Sequence, residues 1–313
     1  EFADADTGYL LTADCAGNGN CQIDFARTVD GGHSWAEVTL PLPGERARAD
    51  HPPRVWTVGN RVILTVQASI FLSEDAGEHW THSPLTLSES AARTVGSAPD
   101  GARLRIDQTV PGQVLAWMPD SGEVATLRQQ PSIDVRGVAA RRAGDGAWWV
   151  GGVHSGHPAL AVTRDGAKTW QTIDLTDGGA DGYEVRVATL GADIFAAVLG
   201  PPVSGGGAER AIRIIYHSTD NGAHFSPTWH GGVPGSLVGD LVPLLDGRLL
   251  LAAADKSWYV SADNGATFTQ VPGLLPVRRI ARTDAGYVAY DLVGGGWCAF
   301  SVDGSTWSKL TVK

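Results

Sequence analysis

The stretch SADNGATF, residues 261–268, sets a serine, an aspartate, a glycine and an aromatic within eight positions. Its importance lies in its recurrence. TVDGGHSW begins at Thr28, SEDAGEHW at Ser73, TRDGAKTW at Thr163 and STDNGAHF at Ser218, while SVDGSTW at Ser301 is one residue short. The shared pattern is [S/T]-x-D-x-G-x-x-[W/F], with Ala167 in place of the glycine in the copy at Thr163. The aspartates are Asp30, Asp75, Asp165, Asp220, Asp263 and Asp303, spaced by 45, 90, 55, 43 and 40 residues. The step of 90 is twice 45 and predicts a decayed copy near its middle, where MPDSGEV keeps Asp120 and Gly122 in register. Seven units of about 45 residues are the period of a propeller or a solenoid.

Within a unit the strand signals come four at a time. FAD, GYLLTA, QIDFART and WAEVTL run through the first, and LVGDLVPL, RLLLAAA, SWYVSAD and FTQVPG through the sixth. Such short apolar or alternating runs, broken by Gly, Asp and Pro, read as β-strands, and no long stretch has the helical period. The fold expected is therefore all-β: one seven-bladed propeller of four-stranded antiparallel blades, near 1–52, 53–91, 92–133, 134–183, 184–235, 236–276 and 277–313. An open solenoid would need shorter rungs and would leave an edge to protect. The recurring aspartates sit at the turn between the third and fourth strands of each blade. There Asp and Ser/Thr side chains bond nearby amides while glycine accepts a positive φ. Six such carboxylates are too many for one active site, so their role is read as structural.

These boxes resemble the Asp-box, or bacterial neuraminidase repeat, of sialidases, sortilin-type receptors and photosystem II assembly-factor propellers. FADADTGYLLTA followed by a T-x-D-G-G-x-x-W box looks most like the assembly-factor and secreted bacterial members. The resemblance implies a propeller whose boxes lie opposite its functional face. It implies nothing specific about function, because one fold hosts many. Sialidases use an arginine triad, a Tyr–Glu pair and an acidic proton donor. The F/Y-R-I-P motif expected near their start is absent, and PPRVW at Pro52 is only a loose echo. Tyr183 and Glu184 adjoin, but neighbours on a strand point to opposite faces.

With the boxes on the bottom, the first strand of each blade begins at the top and lines the channel. Arg54, Arg93, Arg136, Arg186 and Arg278 (or Arg279) open five of these strands. A ring of guanidiniums suits a carboxylate or phosphate ligand. Asp50, His51, Tyr183, Glu184 and Asp240 fall on the same face and complete the expected ligand-binding set. The partner expected is an acidic glycan or an acidic protein surface, and the alternative is a sialidase-like hydrolase or lyase acting on an acidic glycan. His154-x-x-His157 lacks a third ligand, DGGADG lacks the distal glutamate of a calcium loop, and GPPVSGGGAER lacks the lysine of a P-loop. No metal or cofactor is expected.

Composition narrows the classes further. The 313 residues are 43% hydrophobic and 19% charged, and 40 are glycine. A net charge of −10 argues against nucleic acid as a main partner. No apolar run is long enough to span a bilayer. Cys15 and Cys21 flank AGNGN and are expected to face each other across a hairpin. A disulfide there would contribute about 2 kcal/mol and would imply an oxidising compartment. The first residue is not methionine, which fits either a removed leader or a sequence that starts within a longer one; a secreted or extracytoplasmic monomer is expected. Cys298, in an alternating strand, reads as a small buried hydrophobe.

Overall fold

A strand that is packed on both faces must be apolar at every position, and the middle strands of this chain are. Leu249–Ala253 is buried throughout, as are Val114–Trp117 and the first five residues of Trp148–His154. Successive residues there point to opposite neighbours: Trp148 packs toward the preceding sheet and Trp149 toward the following one. Sheets stacked face to face around an axis result, and the molecule is an all-β, seven-bladed propeller of four-stranded, mostly antiparallel blades. The structure is a computed structural model. It describes residues 1–310 apart from 16–19, 41–46, 49–53, 59, 67–68, 84–92, 108–109, 120–122, 177–183, 203–209, 231–236, 254, 278, 284 and 292–296. Among the described residues there is no helix.

Strands are lettered A to D from the axis outward. Blade two comprises Arg54–Val58, Arg61–Val66, Ser69–Ser73 and Thr81–Ser83, and blade four Asp134–Val138, Trp148–His154, His157–Thr163 and Gln171–Asp174. Blade five has Glu184–Leu190, Asp193–Pro202, Arg210–Ser218 and Ser226–His230. Blade six has Leu237–Pro243, Leu249–Ala253, Trp258–Ser261 and Thr269–Val271, and blade seven Arg279–Arg282, Tyr287–Asp291, Trp297–Ser301 and Ser308–Leu310. Blades five and six are joined at their tops by a bridge between Arg210 and Leu237. Strands A of blades four to seven touch in succession around the axis.

Two blades depart from the expected plan. In the first, FAD is not a full strand. It is reduced to a bridge from Phe2 to Gly8, and strand D is split into Ala36–Glu37 and Ala47–Arg48. In the third, Arg93–Val95 runs parallel to Val124–Leu127 at the far edge of the sheet, and Arg103–Ile106 takes the opposite edge, beside strand A of blade four. Arg93 and Thr94 are exposed, which suits an outer edge and not a strand packed between neighbours. The decayed box at Asp120 lies outside the described residues.

The six described boxes share one geometry. Their Ser or Thr is almost wholly buried, and the exposed Asp serves it. Ser261 Oγ donates to Asp263 Oδ1 at 2.7 Å and accepts the Gly265 amide at 2.8 Å. Thr28, Ser73, Thr163 and Ser218 repeat both bonds. In the short copy Ser301 accepts from Gly304, one residue earlier than in the others.

Each box also leans on the blade before it. A Cβ on Gly222 would come within 2.1 Å of the Trp149 ring, one on Gly304 within 2.5 Å of Leu244, and one on Gly32 within 2.2 Å of Leu310. Tyr9 donates to the Ala76 carbonyl of the second box at 3.1 Å. The contact from Gly32 to Leu310 joins blade one to blade seven. Phe2 reinforces it by stacking on Phe300 at 3.8 Å between centroids.

Candidate functional site

The face opposite the boxes is built from the starts of strands A and the B–C loops. Strand A of blade five alternates in burial along EVRVATL. Val185 and Val187 pack on blade four, which turns Glu184, Arg186 and Ala188 toward blade six. There Arg186 Nε donates to Glu184 Oε1 at 2.8 Å, and Arg210 Nε lies 3.3 Å from the other carboxylate oxygen. Arg210 also reaches the Gly200 carbonyl at 3.4 Å, and a Cβ on Gly200 would meet Arg213 Nε at 2.7 Å. Two guanidiniums thus engage one carboxylate, while Arg213 lies against Gly200. The Arg186, Glu184 and Arg210 side chains are 17%, 20% and 27% exposed, so the group is recessed without being sealed.

The other expected residues are distributed differently. Arg136 is ion-paired with Asp134 two residues earlier on its own strand, both side chains about half exposed. Val135 packs toward blade three, and a Cβ on Gly112 of that blade would come within 3.2 Å of Asp134 Oδ1. Arg136 and Arg186 therefore each stand beside a carboxylate of their own strand. At these two positions the guanidiniums of the expected ring come with carboxylates beside them. In strand A of blade five the reason is the side-chain period of two: an acid two positions before an arginine stands on the same face. Arg93 is not on an inner strand at all. Arg54 heads strand A of blade two and Asp240 lies in strand A of blade six, beside a break in its pairing register, but their side chains lie outside the description. Asp50, His51, Tyr183 and Arg278 are outside it entirely, while Arg279, exposed, begins strand A of blade seven.

Other polar groups on this face are spoken for locally. His154 Nδ1 lies 2.8 Å from Asp174 Oδ1, bridging the ends of strands B and D. Lys256, at a φ of 66°, reaches from blade six to the buried Asp291 of blade seven at 2.8 Å. Among the described residues one trio places metal-ligating atoms within 4.8 Å of one another, Asp75, Glu78 and His79. All three are exposed in a box, and Asp75 and His79 already bond each other at 2.6 Å.

One recurrent residue escaped the sequence pattern. The second box aspartate oxygen is held by the side chain four residues later: Ser34, His79, Thr169, His224 or Thr267, at 2.6–2.7 Å. The signal was present, since all these types hydrogen-bond, but a Ser/Thr/His mixture reads as variable. Cys15 and Cys21 are directly opposed in the pairing of Gly8–Cys15 with Asn20–Thr28, and their side chains lie outside the description.

Neither the scan of family models nor the search of curated proteins finds a match. Solved structures do resemble the chain. A structure described as YCF48 bound to D1 peptide superposes with a TM-score of 0.56 at 17% identity, over 96% of this chain and 86% of that one. YCF48 from Cyanidioschyzon merolae gives 0.53 at 12%, over 94% and 92%. The extracellular domain of the putative one-component system BT4673 from B. thetaiotaomicron gives 0.53 at 10%, over 96% of this chain and 38% of that one. At these identities the likeness establishes the propeller fold.

Proposed function

We propose that this propeller is a binding module that takes an acidic segment of a protein partner on the face opposite its boxes. The observation that carries the reading is the recessed blade-five cluster, where Arg186 and Arg210 flank the single acid Glu184. A recessed group of guanidiniums around a single acid presents planar, charge-assisted donors to an incoming carboxylate. That a propeller of the same fold is described as bound to a peptide favours a protein segment over a glycan. The enzymatic alternative needs a carboxylate placed to move a proton. Glu184 is instead engaged on both oxygens by guanidiniums, the arrangement of an ion pair.

We further propose that the chain acts as a secreted monomer with a Cys15–Cys21 disulfide. Directly opposed residues of an antiparallel pair have Cα atoms about 4.5–5.5 Å apart, within the span a disulfide bridges. Mass spectrometry of unreduced protein should show the two linked, and recovery of both as free thiols from secreted material would refute it.

The binding test uses a hexaglutamate peptide and polysialic acid as probes, titrated against wild type and the R186A/R210A variant. Peptide binding should weaken at least tenfold in the variant and should fall with added salt. Equal affinity in both proteins at matched thermal stability would refute the site. Tighter binding of polysialic acid than of the peptide would refute the choice of partner.

A further inference from the structure

Strands A of blades four to seven end at the box side of the channel, around a cavity that holds about 90 Å³. Its walls are largely apolar, Val242, Pro243 and Ala281 among them, yet two arginines border it: Arg141 from blade four and Arg282 from blade seven. Both are partly buried. Thr189, also on the wall, donates to the Arg141 carbonyl at 2.9 Å, tying that turn to the inner strand of blade five. The buried Tyr287 hydroxyl accepts the Leu245 amide at 3.0 Å, and both Arg141 and Arg282 act on it electrostatically. The two cations and the 68%-exposed Leu245 therefore belong to one neighbourhood. Asp246, an acid at this end that also acts on Tyr287, is held by Arg248 at 2.7 Å.

We propose that this mouth binds an aliphatic carboxylate, its oxygens against Arg141 and Arg282 and its short hydrocarbon chain against Val242, Pro243 and Ala281. The charge and the surface call for different halves of one ligand. Guanidiniums beside low-dielectric walls favour an anion more than they would in water. The apolar wall favours a ligand that brings hydrocarbon with it. Each guanidinium carries five N–H donors, so one engaged in the fold still has donors to offer a carboxylate. The volume admits several water-sized groups, which suits a branched acid of about five carbons. The same chemistry is presented by a free acid and by the last residue of a peptide ending in Val or Leu. The site is independent of the blade-five cluster on the other face.

Isovalerate, a pentapeptide ending in leucine with a free carboxylate, and its C-terminal amide would each be titrated by calorimetry. Saturable binding of isovalerate alone would identify a free acid as the ligand. Binding of the free-ended peptide alone would identify a chain terminus. The R141A/R282A variant should lose at least tenfold in affinity, and A281L, which fills the apolar wall with both charges in place, should lose as much. R186A/R210A should bind as wild type does, so failure of this site and failure of the blade-five site are read separately. If R141A/R282A does not fold, A281L decides alone. The proposal is overturned by no saturable binding of any probe, by equal binding of the amide, or by undiminished binding in A281L.

Discussion

The unit of stability in each box is the buried hydroxyl. Ser261→Ala removes the acceptor of a buried amide and one donor to Asp263, and should cost about 1–3 kcal/mol. Urea unfolding checks it, and a change below about 0.5 kcal/mol, the range of ordinary surface substitutions, would contradict it. The aspartates set the acid limit. Asp263 is lowered to about 2 by the Thr267 hydroxyl and amide and then by Ser261, and Asp165 to about 2 by the Thr169 hydroxyl and amide. Asp30, Asp75 and Asp220 are lowered in the same way. A depressed carboxylate stabilises the fold in full above its unfolded value near 4, and that stability is lost as pH falls toward 2. The opposite holds for His79, raised by its hydrogen bond to Asp75. Its contribution is complete below about 6.5 and fades as pH rises through the raised value. Thermal midpoints should therefore drop steeply between about pH 4 and 2, and a flat profile there would count against the boxes as acid-sensitive turns.

At the scale of strands and turns, the box glycine serves the neighbouring blade as much as its own turn. Gly222 has a φ of 82°, and its missing Cβ is the space the Trp149 ring fills. Gly222→Ala combines positive-φ strain with overpacking, each about 1–3 kcal/mol. Gly146→Ala, at a φ of 80° with nothing near its Cβ, should show the strain alone. Chemical denaturation of both variants compares them, and equal losses would show that Trp149 moves aside freely. The strands and box turns were legible in the sequence because they rest on local rules: a period of two, and Ser/Asp/Gly turn chemistry. The placement of Arg93–Val95 was not. Arg-Thr-Val reads the same at the inner and the outer edge of a sheet, and only the packing of whole blades separates the two. The arginines were found by their recurrence. Their pairing with Asp134 and Glu184 was also present, two positions upstream, but it was visible only once strand direction and face were known.

For the whole molecule, closure depends on how blade one meets blade seven. Phe2 is 1% exposed and stacked on Phe300, so Phe2→Ala should cost about 3–5 kcal/mol, as for other large buried aromatics. Equilibrium unfolding followed by tryptophan fluorescence measures this. A loss below about 1 kcal/mol would place the closing energy elsewhere.

Because each described box rests on the blade behind it, the ring is laid like overlapping tiles, and its dependence runs one way. Lifting one tile loosens the tile beneath its edge and spares the one that overlaps it. In Gly222→Ala, amide exchange should therefore quicken first in Trp148–His154 of blade four, while Leu249–Ala253 of blade six keeps its protection. A propeller assembled in this way carries disturbance around its axis in a single sense, against the order in which the chain is written.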